Sequence, residues 1–382
     1  MVGAMLYALH EIQRSWADPV ADFSGAMAEL LRWNPMFRAS FSLLHRITRR
    51  YPRPDLGFST ETIAERPFCR LVHVIGGRGP RVLVCAPLSG HHASLLRDTV
   101  ATLLHDHDVY LTDWIDARQV PVEAGPFHLD DYVAYMRDFI RELGAAELHV
   151  LAVCQPTVPV LGAIALAAAA GEPTPPTLAL MGGPIDARIN PTVVNQFATA
   201  HSIDWFAAQM IHRVPTGYRG AGRAVYPGFM QLTAFVTMSS WRHAAAYRSY
   251  WLDQLAGRDV STHERFYDDY NAVLDMDAAY YLDTVAIVFQ DHALARGTWR
   301  VGDSLVEPAA IAATALMTVE GSRDDITGLG QTEAAHALCP NVTRRKHIVA
   351  DCGHYGLFSG GRWRTEIYPA LRDFIRGLQQ IS

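Results

Sequence analysis

The sequence is short of several things, and each shortage removes a class of function. Positive charge is not in surplus: Lys and Arg number 33 against 39 Asp and Glu, a formal net charge of −6. With no basic block, nucleic acid is a poor partner. Charged residues make up only 19% of the chain against 49% hydrophobic, which excludes a polypeptide held open by its own charge. No apolar run is long enough to span a bilayer, since the longest extends only from Val160 to Ala170. The residues from Met1 to Tyr7 lack the basic segment and apolar stretch of a secretory leader. The five cysteines (Cys69, Cys85, Cys154, Cys339 and Cys352) show no C-x-x-C spacing. Reduced thiols in a cytoplasmic protein are therefore expected. A metal is not, because Cys352-x-His354 and His91-His92 are isolated fragments of a ligand set.

Aromatic residues are plentiful and unevenly placed. Of 38 Phe, Trp and Tyr, 16 fall between Asn190 and Val285. The rest of the chain alternates in type. Residues 1–60 carry helical spacings (Leu6, Leu9, Ile12 and Trp16, then Met27, Leu30 and Leu31) and close on Pro52 and Pro54. Cys69–Ile75 and Arg81–Cys85 read as strands joined by a hairpin turn at Gly76-Gly77-Arg78-Gly79-Pro80. A phosphate-binding loop fails there, because no helix follows and the Lys-Ser/Thr pair is missing. Helices near Ala93–Leu104, Asp130–Leu143 and Leu161–Ala170 then alternate with strands Val109–Thr112, Leu148–Val153 and Leu178–Met181. Gly144 is expected to end the second of these helices in a left-handed turn. The alternation resumes with strands Ala315–Val319 and His347–Val349, and helices near Gln331–Leu338 and Ile367–Leu378. Such a pattern predicts an α/β protein with a mainly parallel sheet and helices on both faces. The expected division is a helical region 1–60, core halves 61–189 and 301–382, and between them a helical, aromatic-rich cap at 190–300.

Parallel sheets place chemistry at the C-terminal ends of their strands. Three such ends carry a nucleophile, an acid and a base, in that order. Ala152-Val153-Cys154-Gln155-Pro156 has the strand–turn–helix context of the Gly-x-Ser-x-Gly elbow, with Cys for Ser and with Ala152 and Pro156 for the glycines. A thiol ionises more easily than a hydroxyl, and a helix N-terminus favours thiolate. A small buried hydrophobe at a strand end is the competing reading of Cys154. Glu320-Gly321-Ser322-Arg323-Asp324-Asp325 offers the acid that would orient an imidazole. Asp324 has the better spacing and Asp325 stays open as the alternative. Asp351-Cys352-Gly353-His354-Tyr355 offers the base, His354. Cys352 follows no elbow and is the weaker nucleophile candidate. The order nucleophile, acid, histidine is that of α/β-hydrolases.

An oxyanion hole needs two backbone N–H groups. Gln155, after the nucleophile, supplies one. The loop Ala86-Pro87-Leu88-Ser89-Gly90-His91-His92 supplies the other, and Leu88 is its natural donor because Pro87 has no N–H.

These residues resemble the intracellular poly(3-hydroxybutyrate) depolymerases over nearly the whole chain. The resemblance lies in Met5-Leu6-Tyr7 with Glu11-Ile12-Gln13-Arg14, and in Arg46-Ile47-Thr48-Arg49-Arg50-Tyr51. It continues in Val84-Cys85-Ala86-Pro87-Leu88-Ser89-Gly90-His91-His92, Val153-Cys154-Gln155-Pro156, Glu320 to Ile326 and Gly330 to His336. It implies an α/β-hydrolase with the cap inserted before the acid-bearing strand, cleaving stored polyester at cytoplasmic granules through Cys154, His354 and Asp324. Water is the implied acceptor, coenzyme A replaces it in some relatives, no cofactor is required, and a homo-oligomer is compatible with the pattern. An uncharged polyester would be held by aromatic rings, for which Trp205, Phe206, Phe229, Phe235, Trp241, Tyr247, Tyr250 and Trp251 are candidates, with Ser89 and His91 on the core side. Two alternatives remain at this level: a polyester synthase or other acyltransferase on the same fold, and an inert granule-binding protein.

Overall fold

The computed structural model describes residues 2–89, 91–238 and 240–379. Its centre is an eight-stranded sheet of β1 (Thr60–Glu65), β2 (Cys69–Val74), β3 (Arg81–Cys85), β4 (Asp108–Trp114), β5 (Leu148–Val153), β6 (Thr177–Met181), β7 (Ala315–Gly321) and β8 (Arg345–Ala350). Their spatial order is 1-2-4-3-5-6-7-8. From β4 to β8 every pairing is parallel, whereas β2 runs antiparallel to both β1 and β4. That order, with a helix after β5, is the α/β-hydrolase sheet. Every residue of β5, β6 and β7 is buried, as strands covered on both faces must be.

Two sequence expectations change here. Gly76 to Pro80 does not close a hairpin, because β4 lies between β2 and β3. The tight Gly-rich turn is real, but strands consecutive in sequence are not neighbours in the sheet. The polar edge strand β1 also went unpredicted. Five of its six residues are exposed, so it shows no buried face for alternation to report.

Before the sheet come α1 (Val2–Leu30) and α2 (Pro35–Thr48), the second started by Asn34, whose side chain accepts the N–H groups of Met36 and Phe37. Within the core lie α3 (Arg97–Leu103), α4 (Leu129–Glu142) and α5 (Thr157–Ala169). Gly144, after α4, takes the left-handed φ of 79°. Between β6 and β7 the chain forms α6 (Val193–Ala200), α7 (Ile203–Met210), α8 (Gly228–Met238), α9 (Ser240–Leu255), α10 (Ser261–Asn271) and α11 (Ala278–Asp283). The helix that follows β7 is a single turn, Ala335–Leu338, rather than two.

The N-terminal pair is tied to this insertion by charge. Arg46 and Arg49 both donate to Asp268 on α10, and the Tyr7 hydroxyl donates to Asp275 at 2.7 Å. Among the described residues no helix is long and apolar enough to cross a membrane.

Candidate active site

The site is built where β5 stops. Cys154 follows Val153 with φ of 69°, one of three non-glycine residues with positive φ among the described residues. Such a backbone costs energy in an L-residue and persists only where the surroundings hold it. Here they do. The Cys154 N–H donates to Met181 O at 2.7 Å, and its carbonyl accepts from Thr157 N at 3.1 Å and Thr157 Oγ1 at 2.8 Å. Thr157 opens α5, whose first ten residues are all buried. The crowding behind the elbow is severe: a Cβ on Gly183 would lie 1.8 Å from Thr157 Oγ1. Glycine there lets the β6 loop pass the elbow. The sharp turn thus presents Cys154 half-buried at the mouth of the strand.

The other two residues reach the same point from β7 and β8. His354 Nδ1 and Asp324 Oδ2 are 2.7 Å apart, with side chains only 4% and 1% exposed. Asp324 is fixed independently, since its Oδ1 accepts the N–H groups of Ile326 at 2.8 Å and Thr327 at 2.9 Å. Asp325 points elsewhere, pairing with Arg242 on α9 at 2.8 Å in an exposed position. The structure therefore brings Asp324, not Asp325, to the imidazole. Cys154 lies close enough to His354 to interact with it. Burial opposes a charged His354, but Asp324 and Cys154 outweigh it and hold its pKa well above the ordinary histidine range. Cys352, two residues away, is buried, and burial pushes its thiol pKa up. A buried thiol with that bias is a poor nucleophile.

Cys154, Gln155 and His354 open into a cavity of about 160 Å³. Pro87 and Ser89 line it, while Leu88 between them is buried in the core. Gly90 lies outside the described residues. His91 is also on the wall, and its Nε2 lies 3.1 Å from Tyr270 O, fastening this loop to α10. Burial lowers the His91 pKa to about 4, so it stands neutral at physiological pH. A second cavity, of about 290 Å³, adjoins the first and shares Phe235, Ile326, His354 and Tyr355 with it. Its rim carries the exposed Arg242, Asp325 and Phe266.

The aromatic candidates divide. Phe235 lines both cavities. The others are not brought to Cys154. Trp205 stacks on His201 at 3.8 Å and Phe206 is buried in a separate cluster. Phe229 stacks on His10 at 4.0 Å beneath α1. Trp241 is 70% exposed. Tyr250 is buried against Arg46, Tyr247 packs on Tyr267, and Trp251 donates its Nε1 to Ser40 Oγ at 3.4 Å. Of these rings, Phe229, Tyr250 and Trp251 join the insertion to the N-terminal helices.

The cavity instead takes Tyr280, Thr284, Val288 and Phe289 from the end of the insertion, with Val158 and Pro159 from α5 and Phe358 after His354. The sequence held a signal for three of them, because Tyr280, Thr284 and Val288 recur at the four-residue spacing of one helix face.

Among the described residues one group could attract a cation: donor atoms of Glu320, Glu333 and His347 lie within 4.8 Å of one another. Glu320 already spends its oxygens on the N–H groups of Gly330, Thr332 and Glu333.

A family model described as PHB de-polymerase C-terminus matches residues 182–379. The chain belongs to this family. Its match begins at the end of β6 and takes in the insertion, Asp324 and His354. No curated protein matches the chain. Among solved structures it is similar to a carboxylesterase from Nitrososphaera gargenis, with 10% identity, a TM-score of 0.46 and coverage of 85% of this chain and 100% of that one. A hydrolase from Pseudomonas aeruginosa PA01 gives 12%, 0.44, 84% and 97%. A bromoperoxidase from Bacillus anthracis gives 11%, 0.42, 84% and 100%. The fold rests on strand order rather than on these likenesses. With it, the family identifies the chain as a hydrolase.

Proposed function

We propose that the chain is a depolymerase of stored poly(3-hydroxybutyrate), hydrolysing its ester bonds through an acyl-enzyme on Cys154. The observation that carries this reading is the hydrogen-bonded pair His354–Asp324 beside Cys154 at the mouth of a mostly apolar cavity. In the first step, with the thiol proton already carried by His354 Nε2, the Sγ thiolate attacks the ester carbonyl. Backbone N–H groups of Gln155 and Leu88 receive the developing oxyanion. The tetrahedral adduct collapses to a thioester, and His354 passes its proton to the departing alkoxide. Water then attacks the thioester with His354 as base, releasing the hydroxyacid and restoring the thiol. Asp324 keeps Nδ1 protonated and stabilises the imidazolium at each stage.

In this reading the smaller cavity takes the acyl unit, and the larger one, on the far side of His354, takes the alcohol side of the chain. That division suits the chemistry, because the group that protonates the leaving oxygen must stand between the two halves of the ester. A neutral polyester needs no charged partner inside, and the wall of Leu129, Val158, Val194, Val288 and Phe289 offers none. The substrate would be met at the granule surface. The test is to incubate amorphous polymer with the protein and assay released hydroxyacid. Wild type should release it, and growth of polymer from hydroxybutyryl-CoA with no release would replace this reading by a synthase.

A further inference from the structure

The acyl cavity is mostly apolar, and apart from the polar groups at the catalytic end it carries a pair of hydroxyls on the insertion. Tyr280 and Thr284 stand one helical turn apart, where α11 gives way to the wider π-turns of Thr284–Gln290. Such widened turns cluster at functional sites. Tyr280 is fully buried and Thr284 is 7% exposed. Both line the cavity that holds Cys154, and neither hydroxyl makes a hydrogen bond of normal geometry, although the two are close enough to interact. Burial holds the Tyr280 phenol in its neutral form, so it has a proton to donate. A buried hydroxyl without a good partner costs stability, and a ligand group in the adjoining cavity that bonded both would recover that cost.

The tyrosine ring is not free to turn away. It packs between Tyr132 and Phe127, each with ring centroids 5.6 Å from its own. The ring, and its hydroxyl with it, is therefore held in one position beside the cavity before any ligand arrives.

Resting on the reading of Cys154 as the acylated residue, we propose that Tyr280 and Thr284 form a hydroxyl-recognition subsite for the free 3-hydroxyl of the bound acyl unit. A hydroxyl both donates and accepts, so it can satisfy a tyrosine donor and a threonine oxygen together. An unsubstituted acyl chain can do neither, and an interior unit, whose C3 oxygen is esterified, can only accept. The subsite thus selects hydroxyl-terminated 3-hydroxyacyl units over plain acyl esters, and favours attack at the hydroxyl end of the polyester.

The experiment compares p-nitrophenyl 3-hydroxybutyrate with p-nitrophenyl butyrate as kcat/KM ratios in wild type, Tyr280→Phe and Thr284→Val. Wild type should favour the hydroxylated ester, and each variant should lower the ratio by about tenfold, the worth of one net hydrogen bond. Tyr280→Phe keeps the ring and its packing, and thermal melting reports whether each variant folds. The proposal is overturned if the ratio stays at the wild-type value in both folded variants while an acyl group still forms on Cys154. Absence of any acyl group on Cys154 in wild type would sink the underlying mechanism instead.

Discussion

The loops at the ends of β5, β7 and β8 and the inserted helices between β6 and β7 are both rich in functional residue types, yet they are built on opposite principles. In the loops the catalytic groups are fixed by directed hydrogen bonds: the Asp324 carboxylate alone meets two backbone N–H groups and one imidazole nitrogen. In the insertion most aromatic rings are packed on one another or on the N-terminal helices, and few reach the cavity. Residue type therefore signals a role where geometry is over-determined by hydrogen bonds, and says little where packing alone decides direction.

The comparison can be broken at either end. The largest effect is expected from Cys154→Ala, which should lower depolymerisation by a factor on the order of 10³ or more with an unchanged circular dichroism spectrum. A folded variant with full activity would remove the catalytic half of the contrast. Asp324→Asn should follow, with a fall on the order of 10³–10⁴ in kcat, because the amide stabilises the wrong tautomer of His354.

That variant also has a titration signature. In wild type the His354 pKa is raised, burial being overcome by Asp324 and Cys154. NMR should therefore show imidazolium persisting above the ordinary histidine range. Loss of the carboxylate leaves burial less opposed and should move the titration to lower pH. The same sign governs stability. A pKa raised on folding stabilises fully below the unfolded value of about 6.5, and that contribution is lost as pH rises through the folded value. Thermal melts of wild type should fall across that interval, and Asp324→Asn should flatten the change.

Smaller effects sharpen the other half. Phe206→Ala removes a ring buried in the insertion and should cost about 3–5 kcal/mol of stability, read as a lower Tm. Phe235→Ala, from the ring shared by both cavities, should raise KM for oligomers more than it lowers Tm. Trp241→Ala should change neither measurably. A large loss of activity there would mean that polymer contacts run well beyond the cavities.

How much was legible in the sequence follows the same division. The elbow could be read because Val153-Cys154-Gln155-Pro156 sits between a strand and a buried helix, and strand-to-helix order survives as one-dimensional pattern. Asp324 could be favoured by spacing, but Asp325 could be set aside only once its pairing with Arg242 was visible. The strand order could not be read from Gly76 to Pro80, because adjacency in a sheet is not adjacency in sequence. Phe229 and Trp251 were misleading for a physical reason. A ring that covers an N-terminal helix and a ring that covers a substrate have the same composition and the same burial. Tyr280 and Thr284 were overlooked because their spacing, not their chemistry, marked them.

The most direct measurement of the central claim is peptide-mapping mass spectrometry after the protein is mixed with short 3-hydroxybutyrate oligomers and quenched in acid. A hydroxybutyryl group on the peptide containing Cys154, absent in Cys154→Ala and retained in Cys352→Ala, is the predicted result. Turnover accompanied by an acyl group on Cys352, or by none on Cys154 at any quench time, would contradict it.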